Sequence, residues 1–120
     1  MLENEINKSW KGTVCETRFK TNGLSLNIQL YDLNLTVLNN VDNFYQIILN
    51  YKKVNEKDYA KEFGNLLILP DNTIRGQDSN GLIDGRIFER DDKKIMEICY
   101  RMTQNVDDCM VSFYGELEFK

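Results

Sequence analysis

The sequence predicts an all-β fold: an antiparallel meander of about eight strands closed as a small barrel, with a two-sheet β-sandwich as the alternative. Three observations predict it. Apolar residues recur with period two along most of the chain, which marks strands with one buried face. The segments between these runs are short and rich in Asn, Asp and Gly, so neighbouring strands pair antiparallel. The chain has 120 residues and one proline, Pro70, which suits a single domain over 1–120 with its own core and no proline-rich linker. A meander of this length protects its edges by closing into a barrel or folding into two sheets.

Residues 1–8 are expected to be a flexible N-terminal extension. The first strand runs from Trp10 to Phe19 and pairs with Leu24 to Tyr31 through Asn22-Gly23, the strongest two-residue hairpin signal. Leu24, Leu26, Ile28 and Leu30 share one face of the second strand, with Ser25, Asn27 and Gln29 opposite. After Asp32 the parity slips, and Leu33, Leu35 and Val37 share a face, which predicts a turn or bulge. Phe44 to Tyr51 sets Tyr45, Ile47, Leu49 and Tyr51 against Phe44, Gln46, Ile48 and Asn50, so this strand is apolar on both faces.

Residues 55–63 are the one helix candidate. Asn55 can cap it, Glu56 and Asp58 suit a first turn, Tyr59 and Phe63 lie four apart, and Gly64-Asn65 would end it. Leu66 to Leu69 then leads into the turn Pro70-Asp71-Asn72, and Thr73 to Gly76 into the loop from Gln77 to Gly81. Leu82 to Glu89 is a strand with Gly85 in its middle, followed by a charged turn over 90–93. Met96, Ile98, Tyr100 and Met102 alternate with Glu97, Cys99 and Arg101. After a turn over 105–108, Cys109, Val111, Phe113, Leu117 and Phe119 share the inner parity of the last strand. Gly85 and Gly115 suit the bends that closure needs.

Trp10-Lys11-Gly12-Thr13 opens the first strand, and a meander follows. This order resembles the calycin barrels, the lipocalin and fatty-acid-binding type. The resemblance implies the closed barrel; it extends to no motif beyond these residues, and no binding residue is carried over from it.

The chain has no histidine. That excludes serine–histidine and cysteine–histidine nucleophiles, histidine proton shuttles and most catalytic zinc and iron sites. There is no Walker loop and no dinucleotide fingerprint, so no cofactor is expected. Asp71-Asn72 and Asp78-Ser79-Asn80-Gly81 offer oxygen ligands, but turn formation accounts for both, and no metal is expected. Carboxylate pairs are the remaining enzymatic route. Asp84 and Glu89 have opposite parities, however, and Glu97, Glu116 and Glu118 take outward positions, so the chain is not read as an enzyme. Cys15, Cys99 and Cys109 are an odd number without redox or zinc spacing and are expected as small core hydrophobes; a Cys99–Cys109 bridge would require export. The polar, acidic N-terminus and the lack of a run of about 18 apolar residues point to a cytoplasmic protein, or to one whose leader has been removed.

Net charge is −4. Residues 1–62 are balanced, with eight basic and eight acidic side chains, whereas 63–120 carry seven and eleven. Such a surface disfavours direct contact with nucleic acid or an anionic membrane and suits a basic protein partner. Two functions follow as expectations. The first is a protein-binding module, an inhibitor or immunity-type protein for a basic partner such as a nuclease or toxin. Its candidate contacts are Asp84, Glu89, Asp91, Asp92, Asp107, Asp108 and Tyr114, with Tyr114 outward beside Met110. The second is a carrier for an apolar ligand inside the barrel, lined by Leu26, Ile28, Tyr45, Ile98 and Tyr100. Homo-oligomers through exposed strand edges are a further expectation.

Overall fold

Eight strands are found in a computed structural model that describes residues 9–20 and 26–119. They are β1 (Ser9–Lys20), β2 (Leu26–Val41), β3 (Phe44–Lys53), β4 (Ala60–Ile68), β5 (Thr73–Asp78), β6 (Gly81–Arg90), β7 (Lys93–Met102) and β8 (Cys109–Phe119). Each pairs antiparallel with its sequence neighbours, and β8 returns to β1, closing the barrel. Closure gives every described strand a neighbour on both sides, but residues 26–30 of β2 lie beyond its ladder with β3 and residues 60–63 of β4 beyond its ladder with β5, so the edges left for the expected strand-edge homo-oligomers are short. The extension over 1–8 and the Asn22-Gly23 turn lie outside the described residues, as does the side chain of Leu26.

The interior follows from strand parity. Trp10 and Val14 of β1, Leu35 and Val37 of β2, Ile47 and Leu49 of β3, and Leu66 of β4 point inward. Ile74, Ile83, Met96, Ile98 and Leu117 complete the central core cluster from β5 to β8. On β3, whose sequence is apolar on both faces, Ile47 and Leu49 are the buried ones; the alternation expected for β7 and β8 is observed, except that Cys109 is only half-buried. Cys15 and Cys99, expected in the core, are also half-buried and flank Tyr114 across the β1–β8 and β7–β8 ladders on the outer face.

Two further expectations are corrected. The β1–β2 ladder runs without interruption from Phe19↔Leu26 to Ser9↔Thr36. No bulge therefore occurs at Asp32; the register shift lies between Val37 and Asn39 on the β3 side. With parity unbroken and Leu35 inside, Ile28 and Leu30 must face out, and both are exposed. Among the described residues there is no helix, and the second part of the helix candidate is β4, with Ile48↔Phe63 and Phe44↔Leu67 in register. A spacing of four is even, so it puts Tyr59 and Phe63 on one side of a strand as readily as on one side of a helix. Pairing of residues 60–63 with residues 48–51 of β3 decides the matter.

Two of the turns are built from pairs of acids. Asp91 and Asp92 have φ of 55° and 62°, and Asp107 and Asp108 have 53° and 63°. Positive φ at both central positions is what a type I′ hairpin requires, and Asp tolerates it better than most side chains.

Candidate functional site

The barrel has two ends. The β1–β2, β3–β4, β5–β6 and β7–β8 connections lie at one, here the upper end; the β2–β3, β4–β5 and β6–β7 turns lie at the other. Each end holds a small cavity.

The upper cavity measures about 110 Å³. Four aromatic side chains line it: Tyr31, Tyr51, Tyr100 and Phe113. Phe113 stands edge-on to Tyr31 at 5.5 Å and to Tyr100 at 5.8 Å, and Tyr31 meets Tyr51 at 6.4 Å. Such tilted contacts place ring edges against ring faces, the favoured arrangement for aromatic pairs. Val14, Leu33, Leu49, Ile98 and Met102 supply the aliphatic wall, and Glu62, Asp78 and Asn80 the polar part.

Local folding explains how the polar groups reach the cavity. Asp78 ends β5, and its Oδ1 accepts the amides of Asn80 and Gly81, each at 2.8 Å, and the hydroxyl of Tyr100 at 2.6 Å. The same carboxylate thus ties the β5–β6 turn and fixes a cavity ring. The Glu62 carboxylate accepts from the Asn80 amide at 3.2 Å and faces the Ser79 hydroxyl at 3.5 Å. Glu62 enters the cavity because β4 parity sends Glu62, Gly64 and Leu66 inward together. Oδ1 of Asp71 likewise serves a turn, accepting the hydroxyl and amide of Thr73, which hold that carboxyl below its ordinary range.

One ion pair lies inside the same half of the barrel. Glu16, only 5% exposed, takes the guanidinium of Arg18 at 3.2 Å, two residues along the inward face of β1. A buried carboxylate needs such a partner, and the bond to Glu16 raises Arg18 above its ordinary value despite burial.

The tyrosines of the cavity hold their protons. Burial raises Tyr31 and Tyr51. It raises Tyr100 most, aided by the bond to Asp78 and the charges of Asp78 and Glu62. A raised folded value means that an unfolded tyrosine ionises first as pH rises through 10.0, so the stability from these groups is present below that pH and is lost above it. Tyr100→Phe is therefore expected to flatten the fall in denaturation midpoint between about pH 9 and 11.5, while losing about 1–2 kcal/mol near neutrality with its hydrogen bond. Denaturant titrations at several pH values check this; a variant as alkali-sensitive as the wild type would show that the Tyr100 proton is not linked to folding.

The lower cavity, about 120 Å³, is lined by Trp10, Tyr45, Ile87 and Met96 among others, with Lys94 at its edge. The predicted ligand set is thus divided. Ile98 and Tyr100 reach the upper cavity, Tyr45 the lower one, and Ile28 neither. Solid core lies between the cavities: Ile47, Ile74, Ile83 and Leu117, all at most 1% exposed, line neither.

The predicted acidic contacts are divided as well. Asp91 and Asp92 occupy the lower β6–β7 turn and Asp107 and Asp108 the upper β7–β8 turn. Glu89 is exposed near the lower end of β6. Asp84 lies between Arg75 at 3.4 Å and Arg101 at 3.5 Å. Neighbouring acids on the outer face are partnered too: Glu97 with Arg86, Glu116 with Arg90 and Glu118 with Lys93. Tyr114, as expected, faces out, and donates to Glu97 at 2.5 Å.

To the β1 side of Tyr114 the outer face carries a group of exposed apolar side chains. Phe19, Ile28, Leu30, Met110 and Tyr114 are each 48–58% exposed. They adjoin across three strands, through Phe19↔Met110, Cys15↔Leu30 and Cys15↔Tyr114. Thr17, opposite Ile28 and Ser112, closes the middle through a 3.0 Å hydroxyl contact with Ser112. The sequence signal for this patch was the alternation of leucines and Ile28 before the parity slip, which a core reading absorbs.

Fold and sites together define an eight-stranded closed meander barrel with an aromatic cavity at one end and an apolar patch on its β2–β1–β8 face. No protein-family model, curated protein or solved structure matches this chain.

Proposed function

We propose that this protein is a non-enzymatic protein-binding module that docks through the outer face of β2, β1 and β8. The observation that carries the reading is the clustering of Phe19, Ile28, Leu30, Met110 and Tyr114 on three adjacent strands around the Thr17–Ser112 hydroxyl pair. Contiguous apolar surface rimmed by polar groups is the composition of an interface centre. Met and Tyr are among the residues enriched there. The acids on the neighbouring β6–β8 surface are neutralised by arginines and a lysine, so the apolar centre rather than a broad acidic field supplies the contact. Asp107 and Asp108, one turn from Met110, add an acidic rim at the upper edge, which suits a partner whose apolar patch has basic groups beside it. Covering a partner's surface in the manner of an inhibitor or adaptor fits a chain without histidine.

Ile28→Glu with Met110→Glu should leave the fold intact, since both side chains are already solvated, and should weaken partner binding by at least about tenfold. Affinity capture from host lysate with wild type, this double variant and Phe63→Glu on β4 checks it. A protein retained by wild type and Phe63→Glu but lost from the double variant supports the reading; one retained equally by all three removes this face as the docking site.

A second reading, a carrier of a small apolar molecule, is favoured by the upper cavity. At about 110 Å³ that cavity is smaller than most drug-sized ligand sites, which ranks this reading second.

A further inference from the structure

We infer that the upper cavity is a site for a small organic cation, a primary or quaternary amine carrying one ring or a short aliphatic body. This inference rests on the carrier reading and sharpens it. Among the described residues lining the cavity there is no lysine or arginine, but there are two carboxylates, Glu62 and Asp78. Their donors are all neutral: amides, hydroxyls and the side-chain amide of Asn80. For the other buried or half-buried acids among the described residues the pattern differs. Glu16, Asp32, Asp84, Glu97, Glu116 and Glu118 each meet an arginine or lysine. Glu62 and Asp78 are thus the half-buried acids, among the described residues, whose described partners leave their charge uncompensated, and they sit where water is partly excluded and Coulomb attraction is less screened.

The rings act in the same sense. Tyr31, Tyr51, Tyr100 and Phe113 present π-systems whose faces are electron-rich, and a cation within about 6 Å of such faces is attracted. The bond from Tyr100 to Asp78 holds one of these rings in place before any ligand arrives, which lowers the ordering cost of binding. Size sets the body of the ligand. Apolar cavities of about 150 Å³ admit a benzene ring, so a cavity of 110 Å³ open to solvent takes a single ring or a short chain with the ammonium near the carboxylates. An anionic ligand, such as a fatty acid, meets the wrong charge here.

Isothermal titration with three probes of nearly equal shape tests this: 2-phenylethylammonium, 2-phenylethanol and phenylacetate. The ammonium is expected to bind at least about tenfold tighter than the alcohol, and phenylacetate to give no measurable binding. Glu62→Gln, which spares the turn tied by Asp78, should bring the ammonium close to the alcohol and leave the alcohol unchanged. Trp10, the only tryptophan, lines the lower cavity, so its emission should not respond. Equal binding of ammonium and alcohol would overturn the cation preference and leave the carrier reading standing. No binding of any probe would overturn both. An ammonium-dependent change in Trp10 emission would overturn the assignment to the upper cavity.

Discussion

Leu117→Ala is expected to destabilise the barrel by about 4 kcal/mol, toward the upper end of the range for large-to-small core changes. Leu117 has no exposed surface and is opposite Gly12 on β1 and Met96 on β7. The cost of such a substitution depends on whether neighbours can close the void. Here one neighbour is a glycine with no side chain to move. A Cβ built on Gly12 would meet the carbonyl of Glu116 and lie 3.1 Å from the Leu117 Cα, so the β1–β8 backbone is already at contact and cannot draw closer. Guanidinium denaturation should show a lower midpoint with an unchanged slope. Leu82→Ala, on the outer face at 45% exposure, is the control and should change stability by no more than about 0.5 kcal/mol. A loss under about 1 kcal/mol for Leu117→Ala would mean that the interior is not packed around this side chain.

The contrast between Leu117 and Leu82 shows what alternation can and cannot tell. Period two reveals that a segment is a strand, as it did for β2, β3, β7 and β8. It does not reveal which face is inside when both carry apolar residues. On β2 the more regular set, ending in Ile28 and Leu30, is the solvated one, while Tyr31, Leu33 and Leu35 pack inward. Only the ladder with β1, whose inner face is fixed by Trp10 and Val14, resolves the ambiguity. For the same reason the apolar patch was hidden inside what reads as core, whereas Tyr114 and Met110 on β8, set against Leu117, were legible as outward.

The acids divide in another way. Asp91, Asp92, Asp107 and Asp108 were legible as turn residues, and the turns are where they are. Their separation to opposite ends follows from counting strands: the β6–β7 and β7–β8 connections of any meander lie at opposite ends. Glu62 was not legible, because a helix reading of 55–63 gives its side chain a different direction from the strand. Once β4 is a strand, Glu62 shares the inward parity of Leu66 and comes to the cavity with Asp78.

The glycines carry the last prediction. Backbone propensity and sterics make opposite forecasts for Gly85→Ala. Its φ is not in the left-handed region, so alanine can adopt the backbone, and the reduced freedom of the unfolded chain alone would stabilise the variant by about 0.4–1 kcal/mol. Packing says otherwise. A Cβ at Gly85 would run into the carbonyl oxygen of Glu97, with the Glu97 carbonyl carbon at 3.0 Å and the Ile98 Cα at 3.2 Å. These are backbone atoms of β7, the partner strand, and they cannot swing aside as a side chain would. The strands must separate, in a stretch where Gly85 lies between Ile74 and Ile98, both buried. The strain should therefore exceed the entropic gain, for a net loss of about 3 kcal/mol, near the top of the usual overpacking range. Denaturant titration gives the sign directly. A neutral or stabilised variant would mean that β6 and β7 can part here without cost, and that Gly85 is not what lets the sheet close so tightly. A loss near the expected size, with the far-UV spectrum retained, would show that Gly85 serves closure through the room its missing side chain leaves for the neighbouring strand, since no unusual backbone angle is involved.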